Sequence, residues 1–225
     1  MTRRRVAALI SGRGSNMAAL LAAAENPDYP AEIALVLSNR ADAAGLAHAA
    51  SRGVRTAVVE SRAFRGDRAG FEVAMEAELA RHGIEVIALA GFMRVLTEGF
   101  VARWEGRMIN IHPSLLPAFP GLDTHARALA AGVRLHGCTV HLVTAGVDEG
   151  PVLAQAAVPV LEDDTEAALA ARVLTEEHRL YPAALGWLAA GQVRVEQGRA
   201  RLSGVAMAKG CLANPLPSAP ALSTP

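Results

Sequence analysis

At 225 residues, with 52% hydrophobic side chains and 22 basic residues against 22 acidic ones, the chain is sized for one α/β domain with a full core. The balance leaves no overall field to draw it onto nucleic acid or anionic lipid, and no apolar run reaches the roughly 18 residues of a membrane span. Cys138 and Cys211, without a C-x-x-C pair, indicate neither a disulfide framework nor a zinc knuckle, so a reducing cytoplasm is the expected compartment.

Arg3-Arg4-Arg5 and the apolar residues 6–10 imitate the start of a signal peptide. The stretch stops at Ser11, short of the roughly 7–15 residues of a secretory h-region, and reads instead as a first strand buried on both faces. Ser11-Gly12-Arg13-Gly14-Ser15-Asn16 follows, then an alanine- and leucine-rich helix over residues 17–24. A glycine-rich turn between strand and helix turns backbone N–H groups toward an anion at the positive end of the helix dipole. The dinucleotide fingerprint wants a third glycine where Met17 stands and an acid after the second strand, which ends instead in Ser38-Asn39. The Walker Gly-Lys-Ser/Thr is also missing. A phosphomonoester therefore fits better than NAD or ATP, while a capped turn without ligand stays open on these residues alone.

The alternation continues with a helix over 42–51 stopped at Gly53 and a strand over 55–60. The next helix places Phe71, Met75, Leu79 and His82 on one face and Glu72, Glu76 and Arg81 on the other, with Gly83 as its stop. A buried strand over 84–90 runs into Gly91-Phe92-Met93-Arg94-Val95-Leu96, an apolar lip at the carboxyl edge of the sheet, where open α/β sheets bind ligands. Thr97 caps a short helix through Trp104, and residues 107–112 form the next strand. Asn110 and His112, two apart, share one face of that strand, and Pro113 ends it. An amide donor and an imidazole held together there suit a carbonyl whose oxygen takes up negative charge. A satisfied buried Asn beside a cap-like His is the alternative.

Beyond Pro120-Gly121 we expect a helix over 124–131 and a strand over 136–143. His136 and His141 are five apart and face opposite sides of that strand, so no shared metal is expected. Ala145 to Pro151 forms a turn carrying Asp148 and Glu149, and residues 152–161 suit a strand. Asp163, Asp164 and Glu166 open a long helix with Leu169, Val173 and Leu174 on its apolar face, and Tyr181-Pro182 is expected to kink or break it before Trp187. Residues 192–196 and 199–202 read as a hairpin around Gly198. The whole is a doubly wound, mostly parallel sheet with right-handed crossovers and antiparallel C-terminal strands. We expect one domain over residues 1–206 and a disordered Ala/Pro/Ser-rich tail over 207–225.

Five motifs occur in order: Ser11-Gly12-x-Gly14-Ser15-Asn16, Ala90-Gly91-Phe92-Met93-Arg94, Asn110-Ile111-His112-Pro113-Ser114-Leu115-Leu116-Pro117, His136-Gly137-x-Thr139-Val140-His141 and Asp148-x-Gly150-Pro151. Together they resemble the folate-dependent phosphoribosylglycinamide formyltransferases, over about residues 5–204. The resemblance implies a Rossmann-like formyltransferase fold and transfer of a formyl group from N10-formyltetrahydrofolate to 5-phosphoribosylglycinamide in purine biosynthesis. It implies catalysis by Asn110, His112 and Asp148 through a tetrahedral intermediate, with no metal and no acyl-enzyme.

By the same resemblance, Gly12, Gly14, Ser15, Asn16 and Glu177 hold the substrate phosphate. Phe92, Met93, Arg94, Val95, Leu96 and Asn110 line the folate site, largely through backbone groups. Arg68 joins them if one residue is inserted after Phe64, and Leu174 stands where relatives often carry a polar side chain. The expected partners are these small molecules only, neither nucleic acid nor membrane, for a monomer or homodimer. Methionyl-tRNA formyltransferase would add a C-terminal domain and a basic face, and formyltetrahydrofolate hydrolase an N-terminal regulatory domain. A non-enzymatic nucleotide-binding module would have no use for Asn110, His112 and Asp148 together.

Overall fold

The computed structural model describes residues 2–210 together with Leu212 and Asn214. Five strands run parallel: β1 (Arg4–Ile10), β2 (Ala31–Ser38), β3 (Thr56–Val58), β4 (Val86–Leu89) and β5 (Met108–His112). Two more, β6 (Leu135–Leu142) and β7 (Val152–Pro159), add antiparallel, giving the order β3-β2-β1-β4-β5-β6-β7. A separate antiparallel hairpin joins β8 (Val193–Glu196) to β9 (Arg199–Leu202). The expected strand of residues 55–60 shrinks to three residues at the sheet edge.

β1, β2, β4 and β5 are largely apolar because helices cover both faces. Along β1 the period of two divides the side chains between two cores: Val6, Ala8 and Ile10 enter one, Ala7 and Leu9 the other. The first core packs against α1 (Ser15–Ala24), α2 (Ala44–Ser51), α5 (Thr124–Ala130) and α6 (Glu166–Ala189). The second packs against α3 (Arg68–Arg81) and α4 (Glu98–Arg103). Fully buried Met17, Leu20, Leu35, Leu37, Met75 and Leu79 each contribute about 1.5–3 kcal/mol by leaving water. Among the described residues no helix is long and apolar enough to cross a membrane.

Two expectations are corrected. Glu72, assigned to the outer face of α3, is buried, because its carboxylate accepts from the Thr97 backbone N–H (2.6 Å) and from the Thr97 hydroxyl. It thereby holds the N-cap of α4, whose Phe100 N–H donates to Thr97 Oγ1 at 3.2 Å. Of the kink or break expected at Pro182, the break does not occur: α6 runs on to Ala189. A mid-helix proline costs about 3 kcal/mol, but Tyr181, Ala184 and Leu185 around it are fully buried. The Tyr181 hydroxyl reaches the carbonyls of Leu89 (2.9 Å) and Ile109 (3.2 Å), and the Tyr29 hydroxyl donates to the Pro182 carbonyl at 2.7 Å.

The expected disorder after residue 206 falls, for Cys211, Ala213 and 215–225, outside the described residues. The Asn214 amide donates to the carbonyls of Arg134 (2.7 Å) and Val160 (3.0 Å), where β6 begins and β7 has ended.

Candidate active site

Strand order reverses between β1 and β4, so the connections leaving these two strands part and open a crevice at their carboxyl ends. On one side lies the glycine-rich turn. Gly14 takes φ +72°, which L side chains rarely adopt, so that α1 can start at Ser15. Behind it, Gly45 of α2 donates its N–H to the Gly12 carbonyl at 3.1 Å. A Cβ on Gly45 would lie 2.6 Å from Ile10 Cδ1 and 3.2 Å from the carbonyl oxygens of Gly12 and Arg13. The Asn16 amide donates to Glu177 Oε2 of α6 at 2.6 Å, while the buried Asn16 Oδ1 has no partner. Burial pushes the Glu177 carboxyl above the usual carboxylate range, against the pull of that hydrogen bond.

Opposite stands the lip after β4. Ser11 accepts the Met93 N–H at 2.7 Å and donates to Asn39 Oδ1 at 2.6 Å, tying the lip to the ends of β1 and β2. Phe92 is buried in the second core and offers only backbone to the crevice, whereas Met93 and Val95 are exposed. Turn and lip enclose a cavity of about 520 Å³ whose wall includes Gly12–Asn16, Gly91, Met93 and Arg94. Sequence reasoning missed the other wall, Asn39, Arg40, Ser61 and Arg62. Its signal was the position of these residues at the ends of β2 and β3. Arg68 opens α3 on the exposed surface, outside this cavity, and Leu174 is half-buried on α6.

The catalytic candidates lie one strand over, outside the cavity wall. Asn110 of β5 pairs with Leu89 of β4 on one side and with His141 of β6 on the other. His112 ends β5 almost fully buried, with Nδ1 3.3 Å from Asp148 Oδ2 and Nε2 3.0 Å from the Phe119 carbonyl oxygen. Each ring nitrogen thus has an oxygen acceptor near it. Asp148 takes φ +58° in its turn and also accepts the Gly121 N–H at 2.8 Å. Burial alone would raise its carboxyl. The Gly121 hydrogen bond and the neighbouring His141 and His112 rings outweigh that and hold it below the usual range. Gly150 permits the close return of this turn, since a Cβ there would lie 1.7 Å from the Leu142 carbonyl oxygen.

Three residues distant in sequence thus meet in one cluster: an amide, an imidazole and a carboxylate 3.3 Å from the ring. The structure adds His141, whose Nε2 lies 3.2 Å from Asn110 Nδ2 and 3.7 Å from Asp148 Oδ1. His136 falls in different surroundings, packed edge-on against Phe119 and His125. Among the described residues no group of three or more His, Cys, Asp or Glu side chains is arranged to hold a metal.

Comparisons with known proteins give the family. Residues 4–185 match the formyl transferase family. The chain is 42% identical over 199 residues to the phosphoribosylglycinamide formyltransferase of Escherichia coli, covering 88% of this chain and 93% of that one. It is 45% identical over 196 residues to the human trifunctional purine biosynthetic protein adenosine-3, which covers 87% of this chain but 19% of that far longer protein. The crystal structure of glycinamide ribonucleotide transformylase 1 from Symbiobacterium toebii superposes with a TM-score of 0.86 at 45% identity, over 89% of this chain and 94% of the other. The mostly parallel sheet, the ordered motifs and these likenesses agree: the chain belongs to the formyl transferase family, beside its phosphoribosylglycinamide formyltransferases.

Proposed function

We propose that the chain transfers the formyl group of N10-formyltetrahydrofolate to the amine of 5-phosphoribosylglycinamide in purine biosynthesis, as a cytoplasmic enzyme acting on small molecules. The observation that carries the reading is the meeting of Asn110, His112 and Asp148 on the far side of β4 from the strand that leads into a glycine-rich anion turn. The E. coli relative that the chain matches almost end to end bears the name of that activity.

In this reading the phosphate is held by backbone N–H groups at Gly12, Gly14, Ser15 and Asn16, with Asn16 braced by Glu177. The pterin lies along residues 92–96, flanked by exposed Met93 and Val95. The neutral amine attacks the formyl carbon, so a C–N bond forms and the carbonyl oxygen becomes an oxyanion. Asn110 donates one hydrogen bond to that oxygen. The His112 imidazolium supplies a second, its Nε2–H turning from the Phe119 carbonyl to the formyl oxygen. One such donor is worth about 10²–10³ in rate. The Asp148 carboxylate beside Nδ1 orients the ring and compensates a positive charge on it. Collapse breaks the bond from carbon to N10; the amine gives up one proton and N10 gains one, relayed by His112 or by water.

The test is to mix the protein with 10-formyl-folate and glycinamide ribonucleotide and follow loss of the folate's formyl group. Plain glycinamide in place of the ribonucleotide should all but stop the reaction. Equal turnover of the two acceptors would remove the phosphate turn from the account, and no turnover of either would overturn the activity.

A further inference from the structure

His141 is almost fully buried on β6, directly opposite Asn110 in the antiparallel register, and the reaction as described gives it no part. Its Nδ1 stands 2.9 Å from the Leu142 carbonyl oxygen. A carbonyl only accepts, so Nδ1 carries the proton. In the neutral ring this leaves Nε2 with a lone pair, and the group facing it at 3.2 Å is the Asn110 amide nitrogen, a donor. The chain of donation therefore runs from Asn110 Nδ2–H to His141 Nε2, and from His141 Nδ1–H to Leu142 O. It has one consistent direction. A ring protonated at Nε2 as well would repel the amide N–H and turn to Asp148 Oδ1, 3.7 Å away.

The same direction fixes the orientation of Asn110. Its amide could present either an N–H or an oxygen to the cleft, and only the N–H stabilises an oxyanion. With one Nδ2 hydrogen held by His141, the second remains for the reacting oxygen. We propose that His141 is a positioning residue for the formyl transfer, holding the Asn110 side chain in its donor orientation; this rests on the reaction proposed above. His141 touches neither acceptor nor folate in this account and acts only through Asn110.

A double-mutant cycle tests it. Wild type, H141F, N110A and the double variant are assayed for formyl transfer, and thermal melting shows which variants fold. H141F removes the acceptor while keeping a flat ring. We expect kcat to fall at least about 10-fold, with KM for both substrates little changed. The loss should not exceed that of N110A, for which the removal of one oxyanion donor sets a scale of about 10²–10³. In the N110A background H141F should cost less than about 2-fold, since the only group it positions is gone. H141Q, whose side-chain oxygen can accept the Asn110 N–H, should recover most of the activity.

Full additivity of the two losses would overturn the proposal, as would a folded H141F at wild-type kcat. If H141F fails to fold, H141Q and the nitrogen NMR shifts of His141 decide. A ring protonated at Nε2 rather than Nδ1 in the native protein excludes the role whatever the activity. A wild type that melts cooperatively yet transfers no formyl group would sink the reaction itself, while the NMR result would still report on the hydrogen bond.

Discussion

The carbonyl oxygen of Phe119 lies 3.0 Å from Nε2 of His112, at the position an oxyanion would have to take to receive that proton. The loop that supplies it is held in place: Arg127 donates to the carbonyls of Pro120 (2.5 Å) and Leu122 (3.3 Å) and stacks on the Phe119 ring. The protein thus occupies its own histidine with an oxygen of the same kind as the substrate's.

Asp148→Asn leaves an amide oxygen for the Gly121 N–H but puts a neutral group beside His112. We expect kcat to fall by about 10²–10⁴, the scale of positioned acid–base catalysis, with a melting temperature within a few degrees of wild type. His112→Ala should fall as far. Steady-state kinetics and a thermal melt check both; near-normal turnover of either folded variant contradicts the assignment.

Gly45→Ala tests how the anion turn is supported from behind. A methyl there would displace the tip of Ile10, 2.6 Å away, and press on two turn carbonyls at 3.2 Å, which must give by a few tenths of an ångström. Small-to-large changes in tight packing cost about 1–3 kcal/mol. KM for the phosphorylated acceptor should rise several-fold or more while KM for the folate changes little. An equal rise in both would mean the turn serves neither substrate in particular.

Tyr181→Phe removes the hydroxyl that reaches Leu89 O and Ile109 O in a fully buried site. We expect a loss of about 1–3 kcal/mol, the cost of leaving buried polar groups without a partner, read as a lower urea midpoint at unchanged slope. A midpoint within error of wild type would show that the two carbonyls do not need the phenol.

Acid should weaken the fold through His136. Burial depresses its imidazole from 6.5 to about 4, and the neighbouring His125 adds to the effect. The unfolded chain takes up the proton first, so the contribution is complete above pH 6.5 and is lost as pH falls toward 4. A shift of that size corresponds to about 3 kcal/mol. Urea unfolding at pH 7 and pH 5 should show the loss in wild type and a smaller one in H136F; equal losses would assign the acid sensitivity elsewhere.

Much of this was readable from the chain because local and global preferences agree in it. The apolar runs of β1, β2 and β4 and the glycine stops between them point to one architecture. Asn110 and His112 could be placed on a common face from their spacing alone. Pro182 does not end the helix because tertiary burial of Tyr181 and Leu185 outweighs a local penalty that sequence makes conspicuous. Glu72 was misread because its partner, Thr97, lies 25 residues away, and helical periodicity carries no information about such a bond. His141 was set aside as one of two histidines without a common metal. Its tautomer follows from the Leu142 carbonyl and its role from the strand opposite, neither of which spacing along one strand can show.

α6 carries Glu177 and Tyr181 one turn apart, and the two serve different ends of the crevice. The carboxyl braces the anion turn through Asn16, and the phenol holds the peptide carbonyl that directly precedes Asn110. A single rod is therefore pinned at two points one turn apart, between the grip for one reactant and the tool that works on the other. The distance between them is set by helix pitch, about 5.4 Å per turn, and not by the pliancy of loops.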